Sequence, residues 1–219
     1  MGISLKRKII IIGAGSHLNS VMNVNLNANE FEVSGIVDWS NTFDPEEIIS
    51  GISVIGSANQ ENNEILDKLK KDHSFFIAIG DNSKREIIFN ILKRKHARIV
   101  SIVSDTAIVA DNFFVSDSTF IGLGVIINSN AVINENSIIN SGAIIEHDVI
   151  VGFNTHIAPN TVLCGSSRIG NNVLIGAGSV VLPNISIANN IDVGAGSIVT
   201  EDLLESYATY FGSPARLRS

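Results

Sequence analysis

The chain has 219 residues, of which 45% are hydrophobic and 17% charged, so it is long enough for two domains with buried cores. Its net charge of −7 argues against nucleic acid as a partner, because phosphate backbones are bound by clustered lysine and arginine. The single cysteine, Cys164, excludes an internal disulfide and a metal site built from several cysteines.

The first apolar run, Ile9–Ile12, follows basic residues but is only four residues long, which is too short for a signal peptide. No stretch approaches the roughly 18 apolar residues of a membrane-spanning helix. We therefore expect a cytoplasmic protein without a membrane partner.

Strand-like and helix-like segments alternate over the first hundred residues. The predicted strands are Lys8–Ile12, Phe31–Val37, Phe75–Ile79 and Ala97–Ile102, and the predicted helices are Ser16–Ala28, Asn59–Lys71 and Ser83–Lys95. Alternation of this kind indicates a parallel sheet with crossover helices. The sequence thus predicts an α/β, Rossmann-like N-terminal domain over residues 1–102.

From Ser104 to Val199 the chain consists of sixteen consecutive six-residue repeats. The sixth position is Ile, Val or Leu in all sixteen, and the fourth is small or β-branched in all but the repeat containing Phe113. We expect positions four and six to point inward and position five outward, while Asn, Gly, Asp and Ser turn the corners. This period predicts a parallel β-helix over residues 103–219.

The hexads resemble those of the hexapeptide-repeat acyltransferases. Six motifs make the whole chain similar to the sugar acetyltransferases of bacterial surface-glycan synthesis: Gly13–His17, Ile36–Asp38, Ala78–Asn82, Asn140–Asp148, Thr155–Ile157 and Gly212–Arg216. Those enzymes include the bacillosamine-type UDP-4-amino-sugar N-acetyltransferases and the sialic-acid O-acetyltransferases.

The resemblance implies a left-handed β-helix, a homotrimer, acetyl-CoA as co-substrate and no metal. It implies N-acetylation of a nucleotide-linked 4-amino-dideoxy sugar for lipopolysaccharide or O-antigen synthesis, with O-acetylation of sialic acid or a related sugar as the alternative. The sequence does not identify the sugar, the nucleotide (UDP, dTDP or GDP) or the acyl chain length.

His147 stands at a repeat corner between Glu146 and Asp148. Histidine suits acid–base work at neutral pH, but spacing alone leaves a polar corner equally open. The resemblance assigns His147 as general base, Asp148 as its orienting partner and Glu146 as the second choice. Cys164 has no adjacent base, so direct transfer is favoured over an acetyl-cysteine intermediate.

His156 occupies the outward position of the ninth hexad, on the side of a triangular coil opposite the His147 corner. The two imidazoles of one chain are therefore expected to be separated by the core. If both serve one active site, they come from different subunits, which predicts active sites at the interfaces of a trimer.

Residues for the two ligands follow from position and resemblance. For the nucleotide sugar we expect Gly13, Gly15, Ser16 and His17 in the first strand-to-helix loop, Asp38 and Asn82 at other strand ends, and Asn140 in the β-helix. For acetyl-CoA we expect His156, Gly165, Gly176, Gly178, Gly194 and Arg216, the glycines of the late coils leaving a smooth outer surface. Ser16 and Leu18 replace glycines of a dinucleotide motif, which disfavours NAD.

Two further hypotheses come from other classes of protein. A zinc hydratase on the same fold uses three histidine ligands, and only two histidines fall within the repeats. A non-catalytic scaffold or sugar-binding module is distinguished from an enzyme by substitution of His147.

Overall fold

The computed structural model describes residues 6–24, 26, 31–40, 44 and 46–218. The chain divides into two compact units, Met1–Asp105 and Thr106–Ser219. Sequence analysis placed this boundary three residues earlier, between residues 102 and 103. No helix in the described part of the chain has both the length and the apolar character needed to cross a membrane.

The first unit is an α/β domain built on one sheet. Its elements are β1 Arg7–Ile12, α1 Ser16–Met22, β2 Phe31–Trp39, β3 Ile48–Ile49, β4 Ile52–Ala58, α2 Glu64–Leu69, β5 Ser74–Ile77, α3 Asn82–Arg94 and β6 Ile102–Val103, and β6 is not part of this sheet. The sheet order is β3-β4-β2-β1-β5, and its pairs are parallel except for β3 with β4. Because β2 and β5 flank β1 on opposite sides, the carboxyl end of β1 is a topological switch point.

Strand β4 was missed by sequence analysis. Its alternation is inverted: Ile55 is exposed, whereas Val54, Gly56 and Ala58 are buried. A Cβ on Gly56 would lie 2.2 Å from Cδ1 of Ile65, so the small residue lets α2 approach the sheet. The strand is therefore specified by close packing and not by hydrophobic periodicity.

The predicted helix bounds need three corrections. Helix α2 begins at Glu64 and not at 59, because Oδ1 of Asn59 accepts hydrogen bonds from the amides of Glu61 and Asn62 and holds a turn. Helix α1 ends at Met22, and residues 25, 27 and 28 of its predicted range lie outside the described residues. Helix α3 starts one residue earlier than predicted, capped by Asp81.

The predicted strand Ala97–Ile102 is also wrong. Its range contains only a single parallel bridge between Phe75 and Ile99, flanked by hydrogen bonds from Phe75 to Arg98 and from Val100 to Phe75. The next strand, β6, begins only at Ile102.

The second unit is a left-handed parallel β-helix, as predicted. Its strands are β7 Ile108–Val109, β8 Phe114–Val115, β9 Phe120–Ile121, β10 Ile126–Ile127, β11 Val132–Ile133, β12 Ile138–Ile139, β13 Ile144–Ile145, β14 Ile150–Val151, β15 His156–Ile157, β16 Val162–Leu163, β17 Arg168–Ile169, β18 Leu174–Ile175, β19 Val180–Val181, β20 Ser186–Ile187, β21 Asp192–Val193, β22 Ile198–Val199, β23 Thr209–Phe211 and β24 Arg216–Leu217. From β7 to β22 every third strand stacks on the same side, so the coil has three faces, and the first strands of these faces within the second unit are β7, β8 and β9.

Each corner of the coil requires a left-handed backbone at the third position of the hexad. From Ser118 to Gly196 every such position has φ between 55° and 70° and is occupied by Asn, Gly, Ser or Asp. These residues tolerate that region at least cost, which explains their abundance at the corners. The sixth positions are buried from Ile121 to Val199, as predicted.

Side chains at one corner form a hydrogen-bonded ladder along the coil axis, which we call the asparagine ladder: Ser118, Asn136, Asn154, Asn172 and Asn190. Nδ2 of Asn136 donates to Oδ1 of Asn154 at 2.8 Å, and Nδ2 of Asn154 donates to Oδ1 of Asn172 at 2.8 Å. Asn136 and Asn154 are fully buried. Buried amides stabilise a fold only when they are paired, so the ladder fixes the register of successive coils.

The ladder predicts that Asn154→Ala destabilises the protein by about 2–4 kcal/mol. About 1 kcal/mol comes from alanine in a left-handed backbone, and about 1–3 kcal/mol from the unpaired amide groups that remain. Asn160→Ala, at an exposed corner with the same backbone, is the matched control and is expected to cost only about 1 kcal/mol. Denaturant unfolding followed by circular dichroism measures both. Equal effects for the two variants would contradict a stabilising ladder.

Candidate functional site

A cavity of about 300 Å³ lies at the switch point of the first unit. It is lined by the Gly13–His17 loop, by Asp38 and Trp39 at the end of β2, and by Ala78–Asp81 and Lys84. The structure thus brings together the predicted residues Gly13, Gly15, Ser16, His17 and Asp38, whereas Asn82 is not among the lining residues. Ligands bind at such switch points in open α/β sheets.

Close backbone packing shapes the loop that follows β1. Gly13 has φ of 109°, and a Cβ there would lie 2.6 Å from Cγ1 of Ile79 and 3.0 Å from the carbonyl oxygen of Ala78. The amide of Ala14 donates to Oδ1 of Asp38 at 3.3 Å, which ties the loop to the end of β2. Asp38 therefore supports the cavity wall as well as lining it.

Arg85, which sequence analysis did not select, organises the opposite wall. Its guanidinium is buried and donates to the carbonyl oxygens of Ile79 at 3.2 Å and Gly80 at 3.0 Å, and to Oδ1 of Asn82 at 2.6 Å. Burial lowers the pKa of Arg85 to about 9, against the opposing effect of the Asp81 and Glu86 carboxylates. Asn82, which is predicted to bind the nucleotide sugar, thus accepts a hydrogen bond from Arg85. The sequence did contain a signal for Arg85, because it is a charged residue on the same helix face as the buried Ile88 and Leu92.

His17 is buried beside this cavity with 8% of its surface exposed. Burial, and secondarily the charge of Arg85, lowers its pKa to about 4. The imidazole is therefore neutral at physiological pH, and it faces the cavity as a hydrogen-bonding group without charge.

In the second unit, His147 and Asp148 form a hydrogen-bonded pair at the corner between β13 and β14. Nδ1 of His147 lies 2.9 Å from Oδ2 of Asp148, and both side chains are at least half exposed. Oδ1 of Asp148 accepts a second hydrogen bond, at 3.0 Å, from Nδ2 of Asn130 in the preceding coil. The bonds from His147 and Asn130 hold the pKa of Asp148 below its usual range, so its carboxylate is ionised at neutral pH.

Gly165 lies one coil above His147 and provides the space for its ring. A Cβ on Gly165 would come within 2.6 Å of Nε2 and 2.7 Å of Cε1 of His147. The imidazole is therefore positioned by Asp148 on its Nδ1 side and by the Gly165 backbone on its Nε2 side. Sequence analysis missed Asn130 and this packing of Gly165, although three hexads in each coil already predict that residues 18 apart are neighbours.

Glu146 and Cys164 are neighbours of this pair. No hydrogen bond joins Glu146 to His147 within the described residues, and Asp148 is the carboxylate that contacts the ring. Burial and the charge of Glu146 raise the pKa of the Cys164 thiol, which keeps it protonated and a poor nucleophile.

His156 and Asn140 lie together on another face. His156 is in β15 on the third face, and its Nε2 is 3.4 Å from Nδ2 of Asn140. His147 lies at the corner between the first and second faces, so within one chain the coil core separates the two histidines. The structure therefore brings together His147, Asp148 and Gly165, and separately Asn140 and His156.

The late glycines, which are predicted to contact acetyl-CoA, also have a role in packing. A Cβ on Gly176 would lie 2.4 Å from the amide nitrogen of Ala195, and one on Gly194 would lie 2.9 Å from Cβ of Phe211. Both glycines permit close contact between successive layers and are not simply a smooth outer surface. Gly178 does face open space, at a left-handed corner. Arg216 pairs with Glu201 at 2.8 Å, and both side chains are exposed.

Among the described residues, no group of three or more His, Cys, Asp or Glu side chains is arranged to hold a metal ion. The donors near His147 are one imidazole and carboxylates, which suit proton transfer.

Residues 8–92 match the PglD N-terminal domain family. No curated protein sequence matches the chain significantly. Solved structures that resemble it include a mutant of perosamine N-acetyltransferase from Caulobacter crescentus in complex with CoA and GDP-perosamine. That protein is 28% identical, each chain covers the whole of the other, and the TM-score is 0.88.

Two further solved structures share the fold at lower identity. The acetyltransferase domain of PglB from Neisseria gonorrhoeae, in complex with acetyl coenzyme A, is 23% identical, with coverage of 97% of this chain and 100% of that chain and a TM-score of 0.85. WeeI from Acinetobacter baumannii is 20% identical with the same coverage and a TM-score of 0.83. The resemblance to hexapeptide-repeat sugar acetyltransferases found in the sequence is confirmed.

The buried state of His17 predicts a loss of stability in mild acid. Its pKa is lower in the folded chain (about 4) than the ordinary 6.5, so the unfolded chain takes up a proton first as pH falls through 6.5. Stability is then lost progressively down to pH 4, by about 2 kcal/mol between pH 7.5 and pH 5. Urea unfolding at the two pH values, with His17→Gln as the control that lacks this loss, measures the effect. An NMR titration midpoint of His17 near 6.5 would contradict it.

Proposed function

We propose that this chain, whose resemblance to the hexapeptide-repeat sugar N-acetyltransferases spans its full length, transfers the acetyl group of acetyl-CoA to the amino group of a nucleotide-linked amino sugar. The finer form of the proposal is a 4-amino-dideoxy sugar, direct transfer without an acyl-enzyme, and His147 as general base. Acetyl-CoA and nucleotide sugars are made in the cytoplasm, where we place the reaction.

One observation carries the proposal. The chain and the perosamine N-acetyltransferase of Caulobacter crescentus cover each other completely at 28% identity, and that enzyme was solved with both CoA and GDP-perosamine. Both units of this chain therefore have counterparts in a protein that holds both classes of ligand. The cavity at the switch point and the His147–Asp148 pair are the features on which the two halves of the proposal rest.

The hydrogen bond between His147 and Asp148 sets the tautomer needed for a base. An ionised carboxylate accepts only, so Nδ1 of His147 carries the hydrogen and donates it to Oδ2 of Asp148. The lone pair of the neutral ring is then on Nε2, the side that lies against Gly165. Asp148 also stabilises the imidazolium that forms when Nε2 takes a proton.

In the proposed step, the sugar nitrogen attacks the carbonyl carbon of acetyl-CoA. Nε2 of His147 removes one proton from that nitrogen, and the carbon–sulfur bond breaks. The leaving thiolate takes this proton from the imidazolium, which yields free CoA and restores neutral His147. The amide of Gly165 has no hydrogen-bond acceptor within the described residues, and we propose it as a donor to the oxyanion.

We propose that the cavity of the first unit binds the nucleotide. Its loop amides and Lys84 suit phosphate groups, and neutral His17 and Asp38 suit the hydroxyl groups of a ribose or the base. Asn140 and His156 lie on the face opposite the His147 corner, so we assign them to a neighbouring subunit's site in a homotrimer.

Arg216 remains our candidate for the phosphates of CoA, together with Gly176, Gly178 and Gly194 along the late coils. The ion pair of Arg216 with Glu201 is exposed, and such pairs contribute at most about 1 kcal/mol. The free-energy cost of replacing the Glu201 carboxylate by a phosphate group of CoA as the partner of Arg216 is therefore small.

The activity is tested by incubating the protein with acetyl-CoA and a panel of UDP-, dTDP- and GDP-linked 4-amino sugars and sialic acid. We expect release of free CoA with one or more amino sugars and an amide product by mass spectrometry. Acetylation of a sialic-acid hydroxyl would replace the proposal by the O-acetyl alternative, and no transfer to any acceptor would contradict both.

Removal of the base predicts a large kinetic loss. His147→Ala is expected to lower kcat by about 10²–10⁴ and Asp148→Asn by a smaller factor, because general-base catalysis contributes that range. KM for acetyl-CoA should change little, since neither residue is assigned to the cofactor. Full activity of His147→Ala at saturating substrate would contradict His147 as general base and would favour an amine that arrives already deprotonated.

The bond from Asn130 predicts a positioning role. Asn130→Gly keeps the left-handed backbone but removes the donor to Asp148, and kcat is expected to fall about tenfold. Asn184→Gly is the matched control at the same corner, with the same backbone and no contact to the pair. The downfield NMR resonance of the His147 Nδ1 proton should broaden in Asn130→Gly only. An unchanged resonance and unchanged kcat would refute this role.

A further inference from the structure

A second cavity in the first unit, which we call the basic cleft, has a volume of about 430 Å³. It is formed at the amino ends of β1 and β5 and by the segments that follow α2 and α3. The cavity proposed for the nucleotide lies at the carboxyl ends of the same two strands, so the two cavities are at opposite edges of the sheet.

The basic cleft concentrates positive charge in an acidic protein. Five permanent cations line it, Arg7, Lys8, Lys70, Lys71 and Arg98, against one carboxylate, Asp72. They are a third of the 15 lysine and arginine residues in a chain with a net charge of −7. Gathering like charges is unfavourable without an anion, and a concave site focuses their field.

Few of these charges are neutralised internally. Asp67 pairs with Lys70 at 3.0 Å and also with Lys95. No ion pair joins Lys8, Lys71 or Arg98 to a carboxylate within the part of the chain that the structure describes. The cleft therefore retains at least three cations whose charge is available to a ligand.

Several of its groups are also held in place. The Arg7 guanidinium lies over the Phe31 ring, 4.8 Å from its centroid. Nζ of Lys70 donates to the carbonyl oxygen of Lys95 at 2.9 Å. Nδ1 of His73 lies 3.2 Å from the carbonyl oxygen of Leu69. Nδ1 of His73 therefore carries the hydrogen. Such fixed donors lose little entropy when an anion binds.

We propose that the basic cleft binds a phosphate-bearing anion with at least two negative charges, independently of the nucleotide-sugar site. Lysine and arginine provide donors only, which match phosphate oxygens, and the volume accommodates a diphosphate group. Two sources supply this chemistry: a soluble diphosphate and the phosphate head groups of anionic lipids.

The test uses the full-length protein and two probes. Inorganic pyrophosphate is titrated at low salt while the imidazole resonances of His73 and His96 are followed by NMR. Vesicles of phosphatidylglycerol, with phosphatidylcholine as the neutral reference, are used in co-sedimentation. We expect saturable binding of at least one probe, weakened tenfold or more in Lys71→Glu/Arg98→Glu and by added salt.

The matched control is Lys68→Glu/Arg94→Glu, which makes the same change in net charge at exposed positions outside the cleft. It should retain binding. Saturation by pyrophosphate identifies the soluble source, and cleft-dependent sedimentation identifies the lipid source; either result supports the proposal. No saturable binding of either probe, or equal weakening in both double variants, would overturn it. Acetyl transfer plays no part in these readouts, so their failure leaves the proposed function untouched.

Discussion

The left-handed corner at the third position of each hexad is the constraint on which the second unit depends. It closes each coil after 18 residues, so that residue i lies directly below residue i+18. The same register that stacks Asn136 on Asn154 in the core stacks Asn130 on Asp148 and His147 on Gly165 at the surface. Stability and the geometry of the candidate catalytic pair therefore share one cause. Asp148 occupies a position that asparagine, glycine or serine fills in the other hexads from Ser118 to Gly196, and its carboxylate accepts hydrogen bonds from His147 and Asn130.

In the first unit, the cavity is formed by strand order and close packing and not by a sequence repeat. The strand order reverses at β1, and close packing of Gly13 against Ala78 and Ile79 brings two loops together there. Buried Arg85 holds the second loop through backbone carbonyl oxygens, and its charge helps to keep His17 neutral. The buried Arg85 behind the wall and the neutral His17 at the wall add no charged contact to the cavity, so Lys84 is the cation among its lining residues that can meet an anionic ligand directly.

The hexad phase, the three faces and the direction of His147 and His156 could all be predicted from the sequence, because one short period repeats without interruption. Adjacency offers His147 two carboxylates, and the resemblance assigned Asp148 as the partner; Asp148 is the one that hydrogen-bonds to the ring. Contacts that depend on packing could not be predicted. Strand β4 buries Gly56 and exposes Ile55, which inverts the expected pattern, and Asn59 replaces the start of a helix with a side-chain-bonded turn. Arg85 acts through contacts that only the folded chain creates.

The central proposal is that Nε2 of His147 takes the proton of the acceptor amine. A crystal structure with CoA and the nucleotide-linked amino sugar that the acetyl-transfer panel identifies would test it most directly. We expect the sugar nitrogen to lie about 3 Å from Nε2 of His147, with the sulfur of CoA next to that nitrogen. A sugar nitrogen bound beyond hydrogen-bond reach of this imidazole, with another side chain in contact with it, would contradict the account.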